Sequence, residues 1–160
     1  MASLPDAEKL CEQLARELKA QVKASTAMVG IYTGGAWLAE RLHAVLGLLD
    51  IAFYRDDYAK QGLAKDPKRS KIPFDVEGRD LLLVDDVLHS GRTVRAAMNE
   101  LFDYGRPATI TLVVLAERSG RQLPICAQFA GARVEVPAGM RLRLKRDDRG
   151  RLSLELQRGA

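Results

Sequence analysis

Apolar residues fall at Leu4, Ala7, Leu10, Cys11, Leu14, Leu18 and Val22, a spacing that winds onto one face of a helix. Ser3 with Asp6 three residues on resembles a capping box, so an amphipathic first helix is predicted to start there. The pattern then changes period. Residues 26–32, TAMVGIY, read as a short strand running into Thr33-Gly34-Gly35, and from Ala36 the stretch AWLAERLHAVLGLL regains helical spacing. Residues 49–57, LDIAFYRDD, read as another strand. Residues 81–85 are near-continuously apolar, as in a parallel strand covered on both faces, and residues 93–104 predict a helix stopped by Gly105 and Pro107. Residues 109–115, TITLVVL, return as a strand. Strand, helix, strand repeated in this order predicts an α/β fold with a parallel sheet flanked by helices and right-handed crossovers. The tail is different: RLRLK and RLSLELQ alternate with period two around RDDRG, which predicts a C-terminal antiparallel β-hairpin.

Composition narrows this picture. At 160 residues, 47% hydrophobic and 29% charged, the chain fits a single globular domain spanning 1–160, and no apolar run is long enough for a membrane span. Acids interrupt the apolar residues of the N-terminus, so neither the basic nor the apolar region of a signal peptide is present, and a cytoplasmic location is expected. Cys11, Cys126, His43 and His89 have no metal-ligand spacing, which predicts reduced thiols and no protein-held metal. A net charge of +4 admits an anionic partner, phosphate or nucleic acid. Two basic runs stand out, residues 60–71 in what reads as a mobile loop and residues 141–151 in the hairpin. Either can also be an ordinary solvated face.

The chemistry is concentrated in residues 81–93, LLLVDDVLHSGRT, where two adjacent acids follow a buried strand. Ligands of open parallel sheets bind outside the carboxyl ends of the strands, where Asp85 and Asp86 are expected. Ser90-Gly91-Arg92-Thr93 then opens a helix, whose free N–H groups and dipole favour a phosphate. Carboxylates beside a phosphate cradle suit a sugar phosphate, with the acids on ribose hydroxyls. The Walker A pattern is absent. The same residues also fit a plain strand-to-helix turn carrying surface acids.

Taken whole, those thirteen residues resemble the phosphoribosyl pyrophosphate (PRPP) motif of type I phosphoribosyltransferases. The resemblance is closest to the PyrR family of pyrimidine-operon regulators and uracil phosphoribosyltransferases. It extends from about Val29 to Pro137, through VGIYTGGAWLAERL, FYRDDYAKQG, the PRPP motif and LPICAQFAG, and leaves out the first helix and the final hairpin. It implies a type I phosphoribosyltransferase fold with a small hood. It also implies a reaction, in which uracil and PRPP give UMP and pyrophosphate with Mg²⁺ carried on the pyrophosphate. By the same resemblance Asp85 and Asp86 are catalytic. PRPP is held by them with Thr33, Gly34, Gly35, Arg55, Val87, Leu88, His89, Ser90, Gly91, Arg92 and Thr93, and the base by Arg118 and Val134. A homo-oligomer is also implied. A phosphoribosyltransferase for another base remains an alternative, since the PRPP motif says nothing of the acceptor.

Two departures carry consequences. Thr33-Gly34-Gly35 stands where the family usually has Thr-Arg-Gly, which removes a charged contact to pyrophosphate and predicts weak turnover, restored by Gly34→Arg. Gly120, Cys126 and Ala132 stand where regulator members carry a His, an Arg and a Lys, with Arg121 kept. Those bases belong to the face with which regulators grip RNA. A UMP-responsive RNA-binding attenuator is therefore the alternative reading, weakened at these positions. His89 falls where the family more often has an aromatic, and is read as a loop side chain rather than a general base.

Overall fold

The computed structural model describes residues 3–55 and 71–159. Helix α1 spans Ala7–Lys19, and its N-cap is Asp6, whose carboxylate accepts from the Glu8 and Lys9 N–H groups. Asp6 itself therefore caps the helix, and the predicted Ser3 start is displaced by one turn. β1 (Ala27–Ile31) leads into α2 (Gly34–Leu46), β2 is Ile51–Tyr54, β3 is Asp80–Leu88, α3 is Arg92–Asp103 and β4 is Thr109–Glu117. A strand the pattern does not announce, β5 (Phe129–Arg133), follows. The hairpin is β6 (Met140–Arg146) and β7 (Leu152–Arg158).

β2-β1-β3-β4-β5 form one sheet in which every neighbouring pair is parallel. The unbroken apolar runs are explained by its two covered faces. Met28, Leu82, Val84, Val113 and Leu115 share a core with α1 and α2 through Leu14, Leu18, Leu38 and Leu42. The alternate residues Val29, Leu81, Leu83, Leu112 and Val114 pack on the other face with Val94, Ala97 and Leu101 of α3. Leu144 and Leu152 of the hairpin join the first of these cores. The hairpin is also held by charge: Arg41 of α2 donates to Glu8 of α1 and to the Gly150 carbonyl at 2.9 Å, and the Leu152 N–H donates to Glu8 at 2.7 Å.

Three boundaries differ from the pattern in ways that matter for the site. α2 begins at Gly34 rather than Ala36, so both glycines lie in its first turn. β2 stops at Tyr54, and Asp56 and Asp57 of the expected strand, with the basic loop before Lys71, lie outside the described residues. β3 continues to Leu88 instead of ending at Asp85. Its pairing to β1 stops at Val84, whereas its pairing to β4 goes on through Asp85, Val87 and Leu88. The two acids thus sit on a strand that overhangs its neighbour. No helix among the described residues is long and apolar enough to cross a membrane.

Candidate active site

The carboxyl ends of β1, β3 and β4 bring together the β1–α2 turn, the β3 overhang with the turn into α3, and the segment after β4. Two helices start here, and neither has a side-chain cap. Thr33, the N-cap of α2, makes no capping hydrogen bond, and Gly91, that of α3, has no side chain to offer. Neither helix carries an acid in its first turn. α1, by contrast, has both a capping Asp6 and an acidic Glu8. With no side-chain acceptor from either N-cap residue and no acid of their own, these N-termini leave N–H groups and dipole ends able to take anions, Ser90 Oγ meeting only the Arg92 N–H.

Between these termini stand the two acids. A Cβ placed on Gly34 would fall 2.2 Å from Asp86 Oδ2, and one on Gly35 would fall 2.7 Å from the Val84 carbonyl and 3.1 Å from Asp85 Oδ1. A side chain at 34 is therefore blocked by the Asp86 carboxylate, and one at 35 by the Val84 carbonyl with Asp85 close beside it. This bears directly on the missing arginine: at position 34 the space of a side chain is filled by the Asp86 carboxylate. The expectation that Gly34→Arg restores a useful contact is reversed, because even the Cβ forces Asp86 to move.

Both acids do not face solvent alike. Asp85 is buried at 7% exposure, and its Oδ1 accepts the Asp86 N–H at 2.8 Å; Asp86 is half-buried and its Oδ1 accepts the Val87 N–H at 2.8 Å. Burial first, and then the neighbouring Asp86, push the Asp85 carboxyl well above the ordinary carboxylate range. A buried acid that resists ionisation, aimed at the open end of a sheet, fits a site where positive charge arrives or develops.

The turn into α3 is built from the segment after β4. Gly91 has φ +93°, the left-handed region where glycine carries no penalty, and a Cβ there would meet Ile125 at 3.1 Å. The Ser90 carbonyl accepts from Gln122 N–H at 2.9 Å and Leu123 N–H at 3.2 Å, the Leu88 carbonyl from Arg118 N–H at 3.0 Å, and the His89 carbonyl from Arg121. Arg92 Nε donates to Gln122 Oε1 at 2.8 Å, while the Arg92 N–H donates to Ser90 Oγ at 3.2 Å. Gln122 and Ile125, which no periodicity singles out, thus shape the loop. Thr93 lies exposed in the first turn of α3, and Val87 and Leu88 complete the overhang, Leu88 buried beneath it.

His89 and Gly120 explain one another. Gly120 has φ +104°, and a Cβ on it would lie 2.7 Å from His89 Nε2. The imidazole occupies the space that a side chain at 120 would need. Partial burial, with Arg118 and then Arg121 nearby, pulls its pKa down. Of the two residues expected on the base side, Arg118 directly follows β4. It is half-buried, with Nη1 on the Met140 carbonyl at 3.2 Å and a buried Nε–H that has no partner among the described residues. Val134, at 7% exposure, packs with Ala116 and Leu142. Arg55 stacks over the Tyr32 ring, 4.3 Å from its centroid, beside the β1–α2 turn.

The fold is that of a phosphoribosyltransferase. The phosphoribosyl transferase domain family matches residues 2–134, and solved structures agree: a hypoxanthine-guanine phosphoribosyltransferase of Bacillus anthracis has TM-score 0.67 at 19% identity, over 84% of this chain and 82% of that one. A purine phosphoribosyltransferase of Pyrococcus horikoshii has TM-score 0.61 at 20% identity, over 79% and 82%. Within that class the relatives are more specific. The chain is 44% identical to the bifunctional protein PyrR of Pseudomonas syringae over 97% of its own length and 96% of the relative's. It is 46% identical to the PyrR of Ralstonia nicotianae over 91% and 88%. The chain belongs to the PyrR family. The likeness takes in α1 and most of the hairpin, beyond the limits of the motif resemblance.

Proposed function

We propose that the protein is a uracil phosphoribosyltransferase, forming UMP and pyrophosphate from uracil and PRPP in the cytoplasm as a single self-associating domain. The observation that carries this reading is the pair of uncapped helix N-termini flanking Asp85 and Asp86. The α3 terminus, with Ser90, Gly91, Arg92 and Thr93, receives the 5′-phosphate, and the α2 terminus, with Thr33, Gly34 and Gly35, receives the pyrophosphate, Arg55 standing beside it. Backbone N–H groups serve both anions, so the pyrophosphate contact does not need an arginine at 34.

The bond from uracil N1 to the anomeric carbon forms as the bond from that carbon to the pyrophosphate oxygen breaks, and the N1 proton passes to the departing pyrophosphate or to water. Positive charge grows on the ribose ring during this exchange. Asp85 and Asp86 hold the ribose hydroxyls and place negative charge beside it, preorganised on a strand rather than a loop. Arg118, half-buried just after β4, stands on the base side. Among the described residues no cluster of three or more acids, His or Cys exists, whereas two adjacent carboxylates suit a magnesium ion that arrives with phosphates. Bound with PRPP, Mg²⁺ would offset the charge of the leaving pyrophosphate.

The test is to incubate the protein with PRPP, Mg²⁺ and each nucleobase in turn, following nucleotide and pyrophosphate. UMP alone is expected; a purine nucleotide would reassign the acceptor, and no product with any base would overturn the enzyme. The relatives are named bifunctional, which supports a second activity, UMP-responsive RNA binding. The segment after β4 is a poor surface for it, since Arg121 is committed to the His89 carbonyl and to Glu117 at 3.3 Å.

A further inference from the structure

The residues of β1 are buried throughout, yet the residue that follows them, Tyr32, keeps a large ring at 41% exposure. It directly precedes Thr33, the N-cap of α2. Its backbone is fixed by one more rung of the parallel ladder. Beyond the last paired residues, Ile31 and Tyr54, the Tyr32 N–H donates to the Tyr54 carbonyl at 2.9 Å. That rung brings the ring level with the end of β2. Alternation carried one residue past β2 puts Phe53 and Arg55 on one side of the sheet and Tyr54 on the other. The Tyr32 ring meets both of the former. The Phe53 ring lies 5.4 Å away between centroids, tilted by 49°, and the Arg55 guanidinium carbon lies over the Tyr32 ring at 4.3 Å from its centroid. Phe53, Tyr32 and Arg55 thus form a short row that runs from half-buried to exposed.

This row bears on the α2 terminus. The first turn of that helix, Gly34-Gly35-Ala36-Trp37, holds no charged side chain, and the Asp86 carboxylate stands where a side chain at 34 would go. A pyrophosphate seated on those N–H groups brings several negative charges toward that carboxylate. The dipole end of a helix, equivalent to about half a positive charge, does not balance them. Mg²⁺ carried with PRPP offsets part, and the remainder calls for a cation from outside the helix. Arg55 is tied to this terminus through Tyr32. The contact with the ring uses the face of the guanidinium, whereas phosphate oxygens are met by its edge, where the N–H donors lie in one plane. One arginine can therefore serve the ring and the anion at once.

We propose that Tyr32 is a positioning residue for phosphoribosyl transfer, its ring being the platform that holds the Arg55 guanidinium toward the pyrophosphate bound at the α2 N-terminus. The proposal rests on the transferase reading and deepens it, by naming the source of the positive charge that Gly34 does not supply. The cation comes from the end of β2 instead of from the turn itself. The ring is required, because it carries the contact with Arg55, and the hydroxyl is not. Phe53 supports the ring from the half-buried end of the row.

Ribose 5-phosphate is the discriminating probe, since it carries the ribose and 5′-phosphate of PRPP without the pyrophosphate. Binding of PRPP with Mg²⁺, and of ribose 5-phosphate, is measured by isothermal titration calorimetry. The proteins are the parent, Tyr32→Leu, Tyr32→Phe, Arg55→Gln and Tyr32→Leu/Arg55→Gln. An exposed cation–π contact corresponds to about 5-fold in affinity, or about 1 kcal/mol. Tyr32→Leu should therefore bind PRPP about 5-fold more weakly and ribose 5-phosphate as the parent does. Tyr32→Phe should bind both like the parent. In the Arg55→Gln background, Tyr32→Leu should cost nothing more, because the two act as a unit. In steady-state kinetics Tyr32→Leu should raise KM for PRPP while kcat and KM for uracil stay in place. Equal weakening of PRPP and ribose 5-phosphate, a Tyr32→Phe variant as weak as Tyr32→Leu, or an undiminished loss in the Arg55→Gln background would each overturn the platform. A parent that binds PRPP but forms no UMP overturns the transferase reading alone, because the binding comparison still decides the platform.

Discussion

Asp85→Asn should make the protein more stable and nearly inactive at once. The carboxyl is buried at 7% exposure, and burial together with Asp86 holds its pKa well above the ordinary carboxylate value. The free protein therefore keeps Asp85 ionised at neutral pH only at a cost to folding. Asparagine has the same shape, and its Oδ1 can still accept the Asp86 N–H that Asp85 accepts at 2.8 Å. What disappears is the desolvated charge. Relieving such a site contributes about 0.5–2 kcal/mol. In a chain of this size each kcal/mol raises Tm by about 2–4 °C. Because the folded-state pKa is raised, the folded protein holds more protons than the unfolded chain between the two pKa values, and its stability falls as pH rises through that window. The variant lacks this slope: its Tm should match the parent's near pH 3 and rise above it toward neutrality. The same lost charge should cost about 2–4 kcal/mol at the transition state, roughly 30- to 900-fold in kcat/KM. Differential scanning fluorimetry from pH 3 to 8, beside a coupled pyrophosphate assay, reads both effects. A Tm gap independent of pH, or parent-like turnover, would refute the reasoning.

Gly34→Arg should lower turnover by about 100-fold, and Gly34→Ala should act in the same direction, since the Cβ alone reaches Asp86; steady-state kinetics showing tighter PRPP use in the arginine variant would contradict this. His89→Gln should flatten the acid side of the stability profile. The lowered pKa of His89 means that its contribution is present above the ordinary histidine value and lost as pH falls through it, and Tm between pH 5 and 8 measures it. Glu8→Ala should destabilise by about 1–2 kcal/mol in urea unfolding, since it strips Arg41 and the Leu152 N–H of their shared acceptor; a change below the error of the midpoint would remove that link from the account.

Much of this fold is written in local periodicity. The runs that fill β1, β3 and β4 are continuous because each is covered on both faces, and the alternation of β6 and β7 is clean because only one face is. β5 escapes for the converse reason: FAGAR is short and poor in branched residues, and only pairing to β4 makes it a strand. The cap of α1 shifts by a turn because Asp6 and Ser3 offer equivalent oxygens to the pattern, and tertiary packing chooses between them. At the site, the acids, the glycines and the loop can be read as residues in order, but the relation between Gly34 and Asp86 cannot. It joins the first turn of α2 to β3, and their separation follows from β3 overhanging β1. The His89–Gly120 contact is hidden in the same way, and so is the burial of Val134.

The central claim is that two uncapped helix N-termini receive the two anionic ends of PRPP, and amide chemical shifts report on those N–H groups directly. Titration of the ¹⁵N-labelled protein with PRPP and Mg²⁺ should move the amides of Gly34 and Gly35 together with those of Gly91, Arg92 and Thr93, while the capped first turn of α1 at Glu8 and Lys9 stays in place. Shifts confined to one terminus, or to neither, would contradict the account.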